Sequence, residues 1–249
     1  MEIDAFVRHR SLTGFGPEGQ ERLAQARVAI VGAGGLGCPV ALYLATSGVG
    51  HLTLIDSDRV SVTNLHRQVL FGPDDVGRPK VEAAADALGR LAPGVTIDAL
   101  DGRLVDGGTA ASGLGGAGAL DATEALKGFD LVLDCTDTWT SRHAVADACA
   151  ALEVPLVWGA VQGWFGQVTV FSGGRTLRDV FPDEPAPELA VCEGGGVLGP
   201  LCGQVGTAMA TQAVVQLTGA GKGLVGTLQV IDARDGQWRS LPIAGGARA

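Results

Sequence analysis

Cysteine is scarce in this sequence, and the few that are present show no pairing pattern. There are five among 249 residues, an odd number without a C-x-x-C spacing, at positions 38, 135, 149, 192 and 202. Such usage is typical of a reducing compartment and not of a secreted disulfide framework. The sequence also lacks an apolar run of the roughly 18 residues that a membrane span needs, and its start lacks the basic and apolar regions of a signal peptide. We therefore expect a cytoplasmic protein without a membrane span.

Positive charge is in short supply as well. The 18 lysines and arginines are outnumbered by 27 aspartates and glutamates, which gives a net charge of −9. This balance argues against a surface that binds nucleic acid directly, although local positive groups can still hold a small anion. The apolar fraction of 46% is that of a folded chain, and the length suits one α/β domain.

The clearest signal begins at a short apolar run. Val28–Val31 predicts a buried parallel strand, and it is followed by the glycines Gly32, Gly34, Gly35 and Gly37 and then by helical spacing. A strand, glycine turn and helix in this order bring bare backbone and a helix N-terminus to a phosphate. The next predicted strand, His51–Asp56, ends in a carboxylate 19 residues after Gly37, where such folds place an acid for ribose hydroxyls. The pattern favours a nucleotide site and leaves the nucleotide open.

Strand and helix patterns alternate along the rest of the chain. An N-terminal arm with a short helix is expected in residues 1–26, a surface loop in the glycine- and alanine-rich residues 107–118, and a mobile connection in 173–200. We find no repeat and no linker, so residues 1–249 are predicted to form one domain. Further helices are predicted over 80–91, 121–127, 139–152 and 201–217, and further strands over 95–100, 130–134, 155–160, 167–171, 224–231 and 237–241.

Two polar segments are candidates for chemistry near the glycine turn. Asn64, Arg67 and Lys80 lie within 17 residues, and cations beside a triphosphate can neutralise the charge that develops as pyrophosphate leaves. Each alone would be read as a solvated surface residue. The second segment, Asp134-Cys-Thr-Asp137, ends a predicted strand, so its aspartates should face the same crevice. A carboxylate there suits Mg²⁺ held jointly with phosphate oxygens, and the alternative is that Asp137 caps the next helix.

Most of the cysteines are expected in the core, because Cys38, Cys135, Cys149 and Cys202 have apolar neighbours in sequence. Cys192 differs, since it lies in a polar, glycine-flanked segment. It is a candidate nucleophile, although the nearby Glu188 and Glu193 would raise its pKa. The four histidines show no metal-ligand spacing.

Several short motifs follow one another in a fixed order over most of the chain. They are Arg8-His9, Phe15-Gly-Pro-Glu-Gly-Gln20, Val31-Gly-Ala-Gly-Gly-Leu-Gly37, Asp56, Asn64-Leu-His-Arg-Gln68, Val76-Gly-Arg-Pro-Lys80, Asp134-Cys-Thr-Asp137, Gly166-Gln-Val-Thr-Val-Phe171 and Gly196-Val-Leu-Gly-Pro200. Their order and spacing resemble the MoeB/ThiF/HesA family, the bacterial relatives of ubiquitin-activating enzymes. The ending Gln237–Leu241 is most similar to the thiamine-pathway branch, ThiF. The resemblance implies a Rossmann-like, doubly wound, mostly parallel sheet that antiparallel strands continue, with helices on both faces.

The resemblance also implies the reaction. Members of the family use ATP to adenylate the C-terminal glycine carboxylate of a small ubiquitin-like sulfur-carrier protein that ends in Gly-Gly. Sulfur then enters the carrier from a separate donor protein, because no rhodanese-like extension is present in this sequence. An ionised carboxylate needs no general base to attack the α-phosphate, so positioning and charge neutralisation suffice.

Roles follow for individual residues under the same resemblance. Asp56 would hold the ATP ribose, with Asp58 and Gln68 among the further nucleotide-binding residues. Arg67 and Lys80 would contact phosphates.

Three further roles complete the implied site. Asn64 would orient the reacting groups, and Asp137 would bind Mg²⁺. Arg8 would reach into the neighbouring subunit's site, which makes a homodimer part of the mechanism.

Two departures from the family pattern bear on metal and thiol chemistry. Family members commonly carry two C-x-x-C pairs for a structural zinc, but Thr176 and Asp179 occupy the first pair's places and no cysteine follows Cys202. We therefore predict no zinc, and stoichiometric zinc in a metal analysis would contradict this. Cys192 matches the cysteine that some members use for covalent chemistry with the carrier, and sulfur transfer at the wild-type rate by Cys192→Ser would exclude that role.

Three other functions remain open at this stage. The protein could be a family relative that adenylates another carboxylate or a tRNA nucleoside. Pyrophosphate exchange with candidate carriers would distinguish this function from activation of a sulfur carrier. It could be an NAD-dependent oxidoreductase, which Asn64, Arg67 and Lys80 disfavour. A scaffold that has lost catalysis is disfavoured because the matched ATP-site residues are all present.

Overall fold

A computed structural model describes residues 5–113, 116, 118–182 and 196–243 of the chain. The helices of this part are α1 Val7–Arg10, α2 Gly16–Gln25, α3 Gly37–Thr46, α4 Lys80–Leu91, α5 Gly107–Ser112, α6 Ala122–Ala125, α7 Trp139–Leu152 and α8 Gly199–Thr218. The strands are β1 Arg27–Val31, β2 His51–Asp56, β3 Thr96–Asp101, β4 Arg103–Val105, β5 Ala119–Asp121, β6 Leu131–Asp134, β7 Leu156–Gln162, β8 Phe165–Phe171, β9 Thr227–Asp232 and β10 Gln237–Pro242.

Eight of these strands form one sheet in the order β10-β9-β8-β7-β6-β1-β2-β3. Strands β7, β6, β1, β2 and β3 are parallel to one another, and β8, β9 and β10 continue the sheet antiparallel. Strand β1 pairs with β2 on one side and with β6 on the other, so the strand order reverses there. In doubly wound folds the ligand crevice opens outside the carboxyl ends of the strands at this switch point. The predicted fold class is confirmed.

Alternating residues of the central strands supply two separate cores. Val28 and Ile30 of β1 pack with α3, α4 and α8 on one face of the sheet, whereas Ala29 and Val31 pack with α6 and α7 on the other. All four side chains are buried, because a parallel sheet covered by helices on both faces has no solvent-facing side. The continuous apolar run thus reflects burial on both faces.

The segment that was expected to be a surface loop, residues 107–118, begins with helix α5, so this prediction is wrong for residues 107–112. The Asp106 side chain caps the helix by accepting a hydrogen bond of 2.9 Å from the Thr109 backbone N–H. Gly113 ends the helix in the left-handed conformation. A well-placed cap at each end therefore stabilises a helix whose glycines and alanines gave no helical pattern.

The N-terminal arm and the long connection are partly described. The arm forms α1 and α2, as expected for a short helix in residues 1–26. In the connection over 173–200, a short 3₁₀ helix forms at Leu177–Asp179 and α8 begins at Gly199. Residues 183–195, on which the prediction of mobility mainly falls, lie outside the described residues.

The four cysteines of the described residues are free and buried, at positions 38, 135, 149 and 202. They lie in the core, as predicted, and burial raises the pKa of each of these thiols above its ordinary value, which disfavours the thiolate. Among the helices of the described part, none has the length and apolar content that crossing a bilayer requires.

Candidate active site

A crevice opens at the carboxyl ends of β1, β2 and β6, where the strand order reverses. Its volume is 440 Å³. The glycine turn after β1 and the turn after β6 both line it. The prediction that the two aspartates of the second turn face this crevice is confirmed for Asp137 and wrong for Asp134, which is fully buried and does not line it. The polar and glycine residues of the predicted site that line it are Gly32, Gly34, Gly35, Asp56, Asp58, Asn64, Arg67, Gln68, Lys80 and Asp137.

The glycines of the turn after β1 serve two different physical needs. Gly32 has a φ of +94°, a conformation that side chains disfavour. A Cβ on Gly37 would come within 1.9 Å of the Gly32 carbonyl oxygen, so the turn closes on itself at this point. By contrast, a Cβ on Gly34 would lie 3.7 Å from its nearest neighbour, the Gln68 amide nitrogen. Gly37 is therefore required by the fold, whereas Gly34 leaves free space at the crevice wall.

This difference predicts opposite outcomes for two alanine substitutions. Gly37→Ala should lower the melting temperature strongly, because the new methyl group overlaps backbone that cannot move away. Gly34→Ala should keep the wild-type melting temperature but raise the Kd for ATP by about tenfold or more, since the methyl group takes space that a phosphate needs. Thermal unfolding and nucleotide titration of both proteins measure these effects. Equal loss of stability in both variants would contradict this view of the turn.

Asp56 is fixed at the end of β2 by two backbone donors. Its carboxylate accepts hydrogen bonds from the Ala33 N–H, at 2.7 Å, and from the Asp58 N–H, at 2.8 Å. The first bond ties the acid directly to the glycine turn. Burial raises the pKa of Asp56 above its usual range, while the Lys80 ammonium and the two N–H donors oppose that rise. A carboxylate placed and held in this way suits the ribose hydroxyls of a nucleotide.

The raised pKa of Asp56 predicts a pH dependence of ATP binding. As the pH falls from neutral into the acid range, Asp56 takes up a proton earlier than an ordinary aspartate does, and the Kd for ATP should rise. Asp56→Asn should bind ATP roughly 10- to 100-fold more weakly at neutral pH, the loss expected for a hydrogen bond to a charged group. The ratio of the two Kd values should shrink as the pH is lowered, and titration of the phosphates cancels in this ratio. A ratio that is constant with pH would contradict the role of Asp56.

Lys80 is a buried cation at the rim of the crevice. It begins α4, and its side chain is 7% exposed. The ammonium nitrogen lies 2.6 Å from an Asp58 carboxylate oxygen and 3.9 Å from one of Asp56. Asp58 is 68% exposed at its side chain, so the arrangement is an ammonium that one solvated and one buried carboxylate hold in place. The positive charge is therefore already in place to stabilise an anionic ligand in the crevice.

The other predicted phosphate-side residues follow β2 in an irregular segment. The Arg67 guanidinium donates to the Thr63 carbonyl oxygen at 3.1 Å, and Asn64 accepts a hydrogen bond of 3.2 Å from the Ser61 N–H. Gln68 is 3% exposed, and its carbonyl oxygen has no hydrogen-bond partner within the described residues. A buried acceptor without a partner at the wall of a crevice is a group that a ligand donor can satisfy.

The turn after β6 brings Asp137 to the crevice with an exposed side chain. The alternative that Asp137 caps helix α7 is wrong, because the capping residue is Thr138, whose hydroxyl oxygen accepts from the Ser141 N–H at 3.3 Å. The carboxylate of Asp137 is therefore not engaged in capping. It can act as a metal ligand at the mouth of the crevice.

Three other predicted features lie away from the crevice or outside the described residues. Arg8 is exposed on α1 and does not line the crevice. Cys192 lies outside the described residues, so its role stays a hypothesis. At the place of the first zinc-binding pair, the Asp179 carboxylate accepts a hydrogen bond of 2.7 Å from the Thr176 N–H and closes a short turn. The expected absence of zinc stays a prediction.

Several residues of the crevice wall were missed by the sequence analysis, and Arg142 is the one among them that is both charged and buried. Arg142 of α7 lines the crevice and is only 5% exposed. Its position in the middle of a helical pattern gave no indication of this. Its immediate neighbours, Ser141 and His143, are polar, so they gave no sign of its burial either.

The sequence and the fold are similar to those of several known proteins. The model of the ThiF family matches residues 6–248. A sulfur carrier protein adenylyltransferase from Thermus thermophilus is 41% identical over 97% of this chain and 88% of its own length. A molybdopterin-synthase adenylyltransferase from Escherichia coli K12 is 39% identical over 98% and 93%. In a crystal structure with AMPCPP and MccA, Escherichia coli MccB covers all of this chain, with 74% of its own chain matched, a TM-score of 0.81 and 20% identity, which shows the shared fold.

The fold and the crevice define a doubly wound α/β protein with its site at the switch point of the sheet. Within that class, the chain belongs to the ThiF family. The predicted MoeB/ThiF/HesA family and the predicted enzyme class, an adenylyltransferase, are confirmed by these comparisons. The relatives reported above are named for sulfur carriers and molybdopterin synthase, so the similarity to the thiamine branch stays a prediction.

Proposed function

We propose that the protein uses ATP to adenylate the C-terminal glycine carboxylate of a ubiquitin-like sulfur-carrier protein ending in Gly-Gly. The observation that carries this proposal is the placement of the buried Lys80 ammonium in one crevice with the glycine turn and Asp56. Family membership supports it, because the relatives reported above are named as adenylyltransferases of sulfur carriers or of molybdopterin synthase. The product would serve sulfur incorporation into thiamine, molybdopterin or a related metabolite.

The reaction needs no acid or base from the protein. A carboxylate oxygen of the carrier attacks the α-phosphorus of ATP, and the bond from that phosphorus to the oxygen shared with the β-phosphate breaks. The electron pair leaves with pyrophosphate, and an acyl-adenylate remains on the carrier. The protein contributes orientation and compensation of charge. Lys80 and Arg67 supply the positive charge that stabilises the departing pyrophosphate, and Asn64 helps to orient the reacting groups.

The described residues fit ATP. The unpaired Gln68 oxygen at the crevice wall, the free space at Gly34 and the carboxylate of Asp56 provide groups for a nucleotide. They also fit Mg²⁺, which usually takes one or two carboxylates and completes its shell with phosphate oxygens and water. Asp137 would hold the ion, which supplies charge neutralisation on the phosphates. No group of three potential metal-ligating side chains occurs in the described part of the chain, and this Mg²⁺ site does not need one.

Further parts of the proposal concern assembly and partners. We propose a homodimer in which Arg8 enters the neighbouring subunit's site, and the exposed position of Arg8 on α1 supports this. A separate protein would donate the sulfur, and Cys192 is a candidate for a covalent link to the carrier. We also propose that the protein does not bind nucleic acid directly, and the net negative charge of the chain supports this. We place the enzyme in the cytoplasm, where its thiols stay reduced.

The test is ATP–pyrophosphate exchange with a panel of purified carriers ending in Gly-Gly. We expect exchange that depends on one of these carriers and that is lost when its terminal glycine is deleted. A parallel titration with NAD serves as a control for the oxidoreductase alternative. Exchange with a tRNA or with an unrelated carboxylate, and with none of the carriers, would overturn the proposed substrate. Tight NAD binding without ATP binding would overturn the proposed chemistry.

A further inference from the structure

The guanidinium of Arg142 donates two hydrogen bonds to the backbone of the turn after β6. Its Nε and Nη2 atoms both donate to the Thr136 carbonyl oxygen, at 3.2 and 3.1 Å. Both residues line the crevice. The Thr136 carbonyl belongs to the peptide group that joins Thr136 to Asp137, so Arg142 fixes the orientation of the backbone from which the Asp137 side chain extends.

Asp134 holds the same turn from the opposite end of Thr136. This buried carboxylate accepts hydrogen bonds from the Thr136 N–H, at 2.9 Å, and from the Thr136 hydroxyl, at 2.7 Å. The two donors and the acceptor of Thr136 are thus all hydrogen-bonded to two buried side chains, Asp134 and Arg142. Hydrogen bonds to charged groups are the stronger kind, particularly when buried. The turn is therefore held in one conformation before any ligand binds.

Arg142 itself is held by aromatic rings and by charge. Its Cζ atom lies 5.2 Å from the ring centroid of Trp139 and 5.6 Å from that of Trp158. The positive charge of Arg142 opposes the burial that raises the pKa of Asp134. The two indole rings and the two hydrogen bonds to the Thr136 carbonyl leave the guanidinium little freedom to turn towards the crevice.

We propose that Arg142 is a positioning residue that, through the Thr136 carbonyl, sets the Asp137 carboxylate for the metal ion of a bound Mg²⁺–nucleotide complex. This inference rests on the proposed function, because that function requires a bound Mg²⁺–nucleotide complex. It assigns Arg142 to the support of a metal ligand and not to a direct contact with a phosphate. Loss of such a supporting contact costs about 10- to 100-fold in metal affinity.

The test measures binding of ATP as a function of Mg²⁺ concentration, without any carrier protein. Arg142→Lys retains the charge and loses the two-pronged contact with the carbonyl. We expect the Mg²⁺ concentration for half-maximal enhancement of ATP binding to rise by roughly tenfold, with no change in the Kd for ATP in EDTA. In an Asp137→Ala background the same substitution should change neither value, because the ligand that it positions is gone.

A second variant and a matched control separate this role from a loss of folding. Thr136→Ala removes the hydroxyl bond to Asp134 but keeps the carbonyl, and it should shift the Mg²⁺ dependence in the same direction by a smaller factor. Arg178→Lys is the control, because Arg178 forms a two-pronged contact with Asp147 on the same helix α7 and does not line the crevice. This control should leave the Mg²⁺ dependence unchanged.

The outcomes distinguish the inference from the proposed function. Weaker ATP binding by Arg142→Lys in EDTA would overturn the inference in favour of a direct phosphate contact. An unchanged Mg²⁺ dependence in both Arg142→Lys and Thr136→Ala would overturn it as well, as would wild-type ATP binding that is insensitive to Mg²⁺. None of these results depends on a carrier, so a failure of every carrier in the exchange assay would count against the proposed substrate alone.

Discussion

Replacement of Lys80 by methionine should reduce ATP–pyrophosphate exchange by about a hundred- to a thousandfold, the loss typical for removal of one preorganised charge from a reacting centre. The ammonium lies between Asp58, at 2.6 Å, and Asp56, at 3.9 Å. Without it, the phosphates of ATP would meet two carboxylates that no cation compensates. We therefore expect both a higher Kd for ATP and a lower rate at saturating ATP, measured by titration and by exchange.

Lys127→Met provides the matched control for this substitution. Lys127 is 55% exposed at its side chain, pairs with Glu124 and does not line the crevice. Its loss should leave exchange within about twofold of the wild type, as expected for a surface ion pair. Wild-type exchange by Lys80→Met, with the same melting temperature as Lys127→Met, would show that the buried ammonium takes no part in the reaction.

Asp137→Ala should abolish measurable exchange, a loss of at least about a hundredfold, because a bound metal ion supplies several kcal/mol of charge stabilisation. The side chain is exposed at the mouth of the crevice and caps no helix. Its removal should therefore affect Mg²⁺ and leave the fold intact. The measurements are the exchange rate as a function of Mg²⁺ concentration and the melting temperature.

The control for Asp137 is Asp74→Ala. Asp74 is exposed on a short 3₁₀ helix, Pro73–Asp75, and does not line the crevice. This variant has lost the same charge, so any general effect of net charge on binding of an anion appears in both proteins. If Asp137→Ala keeps the exchange rate of Asp74→Ala at every Mg²⁺ concentration, Asp137 is not the metal ligand.

Local patterns in the sequence were sufficient to predict most of the sheet and two of its helices. Helices α4 and α7 have the predicted bounds, 80–91 and 139–152. Nearby residues mark the start of each helix, because Pro79 precedes α4 and the Thr138 hydroxyl caps α7. The strands beside β1 were predicted because burial on both faces makes them mostly apolar, although β2 includes Thr53.

The segment between β3 and α6 was predicted poorly because its structure depends on contacts across the chain. Strands β4 and β5 pair only with each other in a small parallel sheet, and α5 between them consists of glycine, alanine, threonine and serine. Glycine lowers helix propensity, so the composition favoured a loop. The Asp106 cap was visible in the sequence, but nothing adjacent to it indicated that a helix would follow.

In the site, too, residues that belong to a local sequence pattern were predicted, and a residue whose partners lie on other elements was not. The glycine turn, Asp56 and Lys80 were identified because their spacing follows from the strand–turn–helix order. Arg142 was missed because, apart from Trp139 on its own helix, its partners come from other elements: Thr136 on the preceding turn, Asp134 at the end of β6, and Trp158 on β7. Only packing of α7 against the sheet brings these groups together, and no spacing in the sequence indicates it.

The burial of the core thiols has a practical consequence for testing whether Cys192 takes part in covalent chemistry. Four of the five cysteines are buried and their thiolates are disfavoured. Because Cys135 and Cys202 line the crevice, alkylation of the native enzyme by a water-soluble electrophile would be attributable to Cys192 if it is lost in a Cys192→Ser variant. Intact-mass spectrometry of such a sample, taken with and without a carrier adenylate, would show directly whether that sulfur becomes protected during turnover.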